Sequence, residues 1–156
     1  MTKIPLALLP GTLCDARLFA PQVEALADVA TPTVVDVAQS DTLPATARDV
    51  LNAMPERFAI AGLSYGGIIA FEVWRQAPER VLGLALLNTT HLPPSAETKR
   101  AQQQFVGMAT LGDFSEITMT TSRTGCSTQR TASTKLYDRR FTIWQRPSAK
   151  RASSIK

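Results

Sequence analysis

The sequence is poor in the residue types that build many sites. It has one histidine, His91, and two cysteines, Cys14 and Cys126, in 156 residues. A lone histidine cannot make a multi-histidine metal centre. The two cysteines are far apart and match neither a metal-ligand spacing nor a disulfide scaffold. No metal and no cofactor are expected. Long apolar runs are missing as well: Ile68–Phe71 and Leu84–Leu87 fall far short of the about 20 residues that a membrane span needs. The opening run Ile4–Leu9 is closed by Pro10-Gly11, so it is too short for a secretory signal, and no small-residue cleavage site follows it. A reduced, cytoplasmic setting without a membrane is the expectation.

The charge that is present divides unevenly. Residues 1–120 hold 8 Lys and Arg against 12 Asp and Glu, a net of −4, whereas residues 121–156 hold 9 against the single Asp138, a net of +8. The basic excess therefore lies wholly in the last 36 positions, as in an appended tail. The length allows one domain of ordinary size. A hydrophobic content of 44% suits a globular core and is too high for a fully disordered chain.

Through the first ninety residues, strand-like and helix-like segments alternate. Ile4–Leu9, Val34–Val37, Phe58–Ala61 and Val81–Leu87 read as strands; the last is nearly all apolar, as a strand covered on both faces should be. Leu18–Ala30, Pro44–Met54 and Gly67–Ala77 carry apolar residues at helical spacing, and Pro78 stops the third. The order β-α-β-α-β-α-β predicts an α/β fold: a parallel sheet of about four strands, right-handed crossovers and flanking helices. Ligand sites in such sheets lie at the carboxyl ends of the strands, which singles out the loops at 10–16, 62–66 and 88–94. A further helix is expected over Glu97–Leu111, with Phe105, Met108 and Leu111 as its stripe. From about Thr120 the pattern fails: Ser and Thr fill 12 of the last 36 positions, and neither period is sustained. Such a segment cannot offset the entropy of ordering. The expected organisation is a domain over 1–118 and a disordered basic tail over 119–156.

Gly62-Leu63-Ser64-Tyr65-Gly66 fits G-x-S-x-G. The pentapeptide alone is common, but here a buried strand runs straight into it and a helix follows at once. That is the strand–turn–helix setting of a nucleophile elbow. The turn is sharp, so the glycines at 62 and 66 keep side chains away from the strand and helix. It sets the Ser64 hydroxyl at the amino end of a helix, where free N–H groups favour a developing negative charge. The backbone N–H groups of Thr12, in the loop after the first strand, and of Tyr65 are the two expected oxyanion donors.

At these residues the chain resembles the α/β-hydrolase superfamily, and most closely its small bacterial esterase- and carboxylesterase-like members. The loop Leu9-Pro10-Gly11-Thr12-Leu13-Cys14-Asp15-Ala16-Arg17-Leu18-Phe19, the elbow Gly62–Gly66, the helix ending at Ala77-Pro78-Glu79-Arg80-Val81 and the strand Leu84–Asn88 carry the likeness, which covers about residues 4–118. The resemblance implies acyl transfer from a small ester-like substrate to water, with Ser64 as nucleophile. It also implies an acid and a histidine after later strands, and nothing beyond residue 118 resembles those strands. The fold is therefore expected to be a partial α/β-hydrolase, truncated before its last strands and weak or inactive alone. His91 follows the strand after the elbow, so it is a loop residue first and a substitute base only second; Glu97 and Asp113 are the acids near it. Cys14, Asp15 and Asp36 read as loop and strand-end residues.

A basic tail could act as an arm for nucleic acid. Its charges are scattered, however, and Tyr137, Phe141 and Trp144 form no stacking pattern, so no specific nucleic-acid partner is expected. The tail reads instead as an out-of-frame translation. An unpaired sheet edge would leave self-association, or pairing with a complementary C-terminal hydrolase fragment, as the alternative to catalysis.

Overall fold

A computed structural model describes residues 2–112, 117 and 141–145. Its elements are β1 (Ile4–Leu9), a 3-10 turn (Ala16–Phe19), α1 (Ala20–Ala25), β2 (Ala30–Val34), α2 (Leu43–Ala53), β3 (Phe58–Leu63), α3 (Tyr65–Gln76), a second 3-10 turn (Pro78–Arg80), β4 (Val81–Leu87), α4 (Ala96–Thr110) and β5 (Phe141–Gln145). One compact unit runs to His91 and includes β5; a second begins at Leu92 and contains α4. Among the described residues, no helix is long and apolar enough to cross a membrane.

In the first unit the strands pair in the order β2-β1-β3-β4-β5, and β1 to β4 are parallel. This is the partial α/β sheet with flanking helices that the sequence pattern predicts. Alternation along β1 sends Ala7 and Leu9 to one face and Leu8 to the other. The first face packs on α2 and α3 through Val50, Phe58, Ile60, Ile69 and Val73, all 1% exposed or less. Burial of each such large side chain contributes about 1.5–3 kcal/mol. The second face packs Leu8 and Ala61 on Phe19, with Leu18 and Val23 beside it. The register brings Leu9 opposite Gly62 and Leu63 opposite Leu87. The carboxyl ends of β1, β3 and β4 are therefore level, and their loops leave from one edge of the sheet.

The structure differs from the sequence pattern in three places. The helix expected over Leu18–Ala30 is a 3-10 turn followed by the short α1, with Pro21 in the first turn of α1. Proline lacks an N–H and disfavours helical geometry in the residue before it, so a continuous helix cannot run through this point. The second strand spans Ala30–Val34 rather than starting at Val34, because Ile4 pairs with Ala30 and Leu6 with Pro32. Proline is tolerated there because β2 is an edge strand. Within the tail, the pattern suggested no strand, yet Phe141–Gln145 pairs antiparallel with Leu87–Gly83 of β4. The remainder of the 119–156 tail lies outside the described residues.

Arg80 ties the α2–β3 connection to the end of α3. Its guanidinium donates to the carbonyls of Leu51, Met54 and Pro55 at 2.9 Å and of Glu56 at 3.0 Å. The same group lies 5.6 Å from the centre of the Phe58 ring. It thereby satisfies carbonyls of the last turn and cap of α2, at Leu51 and Met54, and of the loop that follows, at Pro55 and Glu56. Arg80→Ala is expected to cost about 2–3 kcal/mol, and Arg80→Lys most of that, since a single ammonium cannot reproduce the guanidinium's spread of Nε and Nη donors. Urea denaturation of the three proteins checks it.

On α3, the Glu72 carboxylate accepts from Arg75 at 2.6 and 2.7 Å and from Gln76 at 2.9 Å. Chiefly through the Arg75 bond, its pKa falls from the usual 4.5 to about 2. A depressed folded value stabilises the protein above the unfolded pKa, and that contribution disappears as pH falls from about 4.5 to about 2. Glu72→Gln is therefore expected to melt slightly lower at neutral pH and to lose less on acidification across that window. Thermal melts at pH 7 and pH 3 give the comparison.

In the second unit, Ser95 caps α4 by accepting from the Thr98 N–H at 3.1 Å. Phe105 and Met108 are half-buried, as the expected stripe requires. Leu111 instead follows the helix at its C-cap and is 80% exposed.

Candidate active site

Ser64 joins β3 to α3 without a single intervening loop residue. Its backbone has φ 52° and ψ −114°, a combination that L-residues adopt at a cost of about 1–3 kcal/mol. Only two other described non-glycine residues have positive φ: Leu13 at 59° and Asn88 at 44°. One of the three lies in each loop that leaves the level ends of β1, β3 and β4. Among the described non-glycine residues, positive φ is thus confined to one edge of the sheet.

The neighbours hold this geometry. The Ser64 N–H donates to the Leu87 carbonyl at 2.9 Å, and the Ser64 carbonyl accepts from Gly67 at 3.0 Å and Ile68 at 3.3 Å. It also accepts from the Thr89 hydroxyl at 2.7 Å. Close approach explains the glycines. A Cβ on Gly62 would overlap the Gly66 carbonyl and stand 2.6 Å from the Gly67 nitrogen; one on Gly66 would overlap the Leu9 carbonyl and stand 2.6 Å from the Pro10 oxygen. A Cβ on Gly11 would stand 3.4 Å from the Ser64 Cβ, so the Pro10-Gly11 loop lies against the serine.

The Ser64 side chain is exposed and makes no capping bond to α3. Tyr65 is the first residue of that helix, so its N–H has no acceptor within it. Thr12 follows Gly11 in the exposed part of the β1 loop. His91 lies two residues after Thr89, past the end of β4. Its ring meets Phe71 edge-on, with centroids 6.5 Å apart and planes at 69°. Phe71 is seven residues beyond Ser64, about 10 Å along α3. Asp15 and Asp36 are both taken up locally. The Arg17 guanidinium, 2.7 Å away, lowers the Asp15 pKa. The Ala38 N–H and the Gln39 amide lower that of Asp36. The Cys14 thiol is exposed and lies 3.5 Å from the Thr12 carbonyl. Among the described residues, no three His, Cys, Asp or Glu side chains gather to hold a metal ion. Asp113 lies outside the described residues.

No protein-family model matches. A solved structure of a thermophilic esterase from Thermogutta terrifontis, with malate bound, superposes with a TM-score of 0.56 at 27% identity, over 66% of this chain and 43% of that one. In fold and sequence the chain is similar to this esterase, which is of the α/β-hydrolase type. The bifunctional biotin-biosynthesis protein BioHC of Cellvibrio japonicus (strain Ueda107) is 28% identical over 95 residues, 56% of this chain and 19% of that protein. The chain spans less than half of the esterase and about a fifth of BioHC.

Two features of the candidate site leave little local signal in the sequence. The Thr89 bond to the Ser64 carbonyl and the Leu87 acceptor both join residues more than twenty positions apart. The available signal was Asn88, a residue type that tolerates positive φ, placed directly after an apolar strand.

Proposed function

We propose that the chain carries the nucleophile half of a serine ester hydrolase site. The carrying observation is the strained Ser64 backbone at the α3 N-terminus, flanked by the loops after β1 and β4. Ser64 Oγ attacks the carbonyl carbon of a small ester, and its proton passes to a base. The carbonyl oxygen takes the negative charge between the Thr12 and Tyr65 N–H groups. The acyl–oxygen bond to the alcohol then breaks, the alcohol leaves with the proton, and water releases the acid by the same route. Gly62 and Gly66 make the turn possible.

The reaction needs a base beside Ser64. His91 is the only histidine in the sequence, and its ring is engaged with Phe71. We therefore expect slow turnover by this chain, relying on the oxyanion donors and on bound water. The test is hydrolysis of p-nitrophenyl butyrate by the purified chain and by Ser64→Ala. A small rate above background that disappears in Ser64→Ala supports the reading; a rate equal in both proteins overturns it.

A second reading rests on the length of chain shared with the relatives. The chain would then act as one part of a two-part hydrolase, with a complementary C-terminal segment supplying the acid and base. His91→Ala should leave the rate with such a segment unchanged.

A further inference from the structure

We infer that Thr89 is a positioning residue for Ser64. It acts by clamping the Ser64 carbonyl and so holding the strained turn in register with the oxyanion donors. The inference rests on the reading of Ser64 as nucleophile. The observation behind it concerns the backbone and stands apart from that reading.

Ser64 pays a conformational cost at φ 52° and ψ −114°. A strained residue persists only where its surroundings over-determine it. Two elements supply the constraint. The first turn of α3 bonds the Ser64 carbonyl through the Gly67 and Ile68 N–H groups. The end of β4 bonds the Ser64 N–H through Leu87. Thr89 joins these two, because it follows β4 in sequence yet donates to the same carbonyl at 2.7 Å, the shortest of the three bonds to that oxygen.

The placement of Thr89 is specific. Its Cγ2, Cβ and Oγ1 stand 2.5, 2.6 and 2.7 Å from the point where a Gly67 Cβ would be. Gly67 thus leaves the space that the threonine side chain fills. Asn88, at φ 44°, turns the chain back so that the next residue reaches over α3. With the hydroxyl removed, the Ser64 carbonyl keeps only its two helical donors. The peptide plane between Ser64 and Tyr65, which carries the Tyr65 N–H, is then freer to rotate. Misplacement of a reacting group by even about 1 Å costs up to about 100-fold in rate.

The test compares the full chain with Thr89→Ala and Thr89→Ser. The first readout is amide hydrogen exchange, which needs no activity. Thr89→Ala should speed exchange at Ser64, Gly67 and Ile68 about tenfold while the amides of β1 and β3 stay at parental rates. Thr89→Ser, which keeps the hydroxyl and loses the methyl on Gly67, should restore parental exchange. The second readout is inactivation by a fluorophosphonate. Thr89→Ala should lower the limiting inactivation rate about tenfold without changing the half-saturating concentration, and Thr89→Ser should recover it. Unchanged exchange in Thr89→Ala overturns the inference. So does a Thr89→Ser protein as perturbed as Thr89→Ala, because the hydroxyl would then not be the clamp. If Thr89→Ala does not fold, the exchange of Thr89→Ser decides alone, parental rates supporting the clamp and fast rates refuting it. A parent chain that no phosphonate labels sinks the nucleophile reading and leaves the exchange result to decide the clamp.

Discussion

Gly66→Ala is expected to destabilise the fold by about 4 kcal/mol or more, beyond the range of ordinary overpacking. The added methyl would overlap the carbonyl oxygen of Leu9 and stand 2.6 Å from that of Pro10. Both obstacles are main chain at the end of β1, a strand paired on both sides. A side chain in the way could rotate; β1 can yield only by breaking its register with β2 and β3. Gly62→Ala meets the Gly66 carbonyl and the Gly67 nitrogen and should behave similarly. The contrast is Gly83→Ala in β4, whose added methyl has nothing within 4 Å among the described residues and should change stability by less than about 1 kcal/mol. Urea midpoints of the three variants measure the difference. A Gly66→Ala protein as stable as Gly83→Ala would mean that the turn is not packed as described.

The second large effect is on rate. Addition of a C-terminal segment from an esterase-like relative, carrying an acid and a late histidine, is expected to raise ester hydrolysis by at least about 100-fold. That is the lower end of what a positioned general base contributes. The gain should vanish in Ser64→Ala, because the segment brings a base and no nucleophile. An incoming strand needs an open edge. At β2 it meets Pro32, and at β4 it meets β5, which already occupies that side. A chain ending at residue 118 is therefore expected to respond more strongly than the full chain. Titration of the segment against a fixed amount of each chain, followed by p-nitrophenol release, reads both effects. Equal rates with and without the segment would contradict the two-part account.

The fold was legible where one local rule dominated. β1, β3 and β4 are largely apolar runs; Pro10-Gly11 closes β1, the elbow closes β3, and β4 lies between Arg80 and Asn88. α2 has its Thr42 cap, whose hydroxyl accepts from Ala45, together with an early proline. Ser64 could be singled out because glycine spacing, strand and helix agreed on one position. The errors arose where a local signal competed with pairing. Leu18–Ala30 has helical spacing, but Pro21 and the pairing of Ala30 with Ile4 divide it. Val34–Val37 has the β-branched residues, yet the strand begins four residues earlier because an edge position accepts Pro32. β5 has an unpatterned sequence and owes its conformation to the free side of β4, which no local period reveals. At the site, the glycines announced a close approach without naming its partner. The partners were Leu9, Pro10 and Thr89, and only the folded chain brings them to the serine.

Ser64 is proposed as a nucleophile held in a strained turn at a helix N-terminus. Treatment of the purified chain with a fluorophosphonate, followed by peptide mapping, tests it most directly. The account predicts one adduct per chain, on the peptide containing Ser64, and none in Ser64→Ala. An equal mass gain in Ser64→Ala, or adducts scattered over exposed tyrosines and lysines, would contradict it.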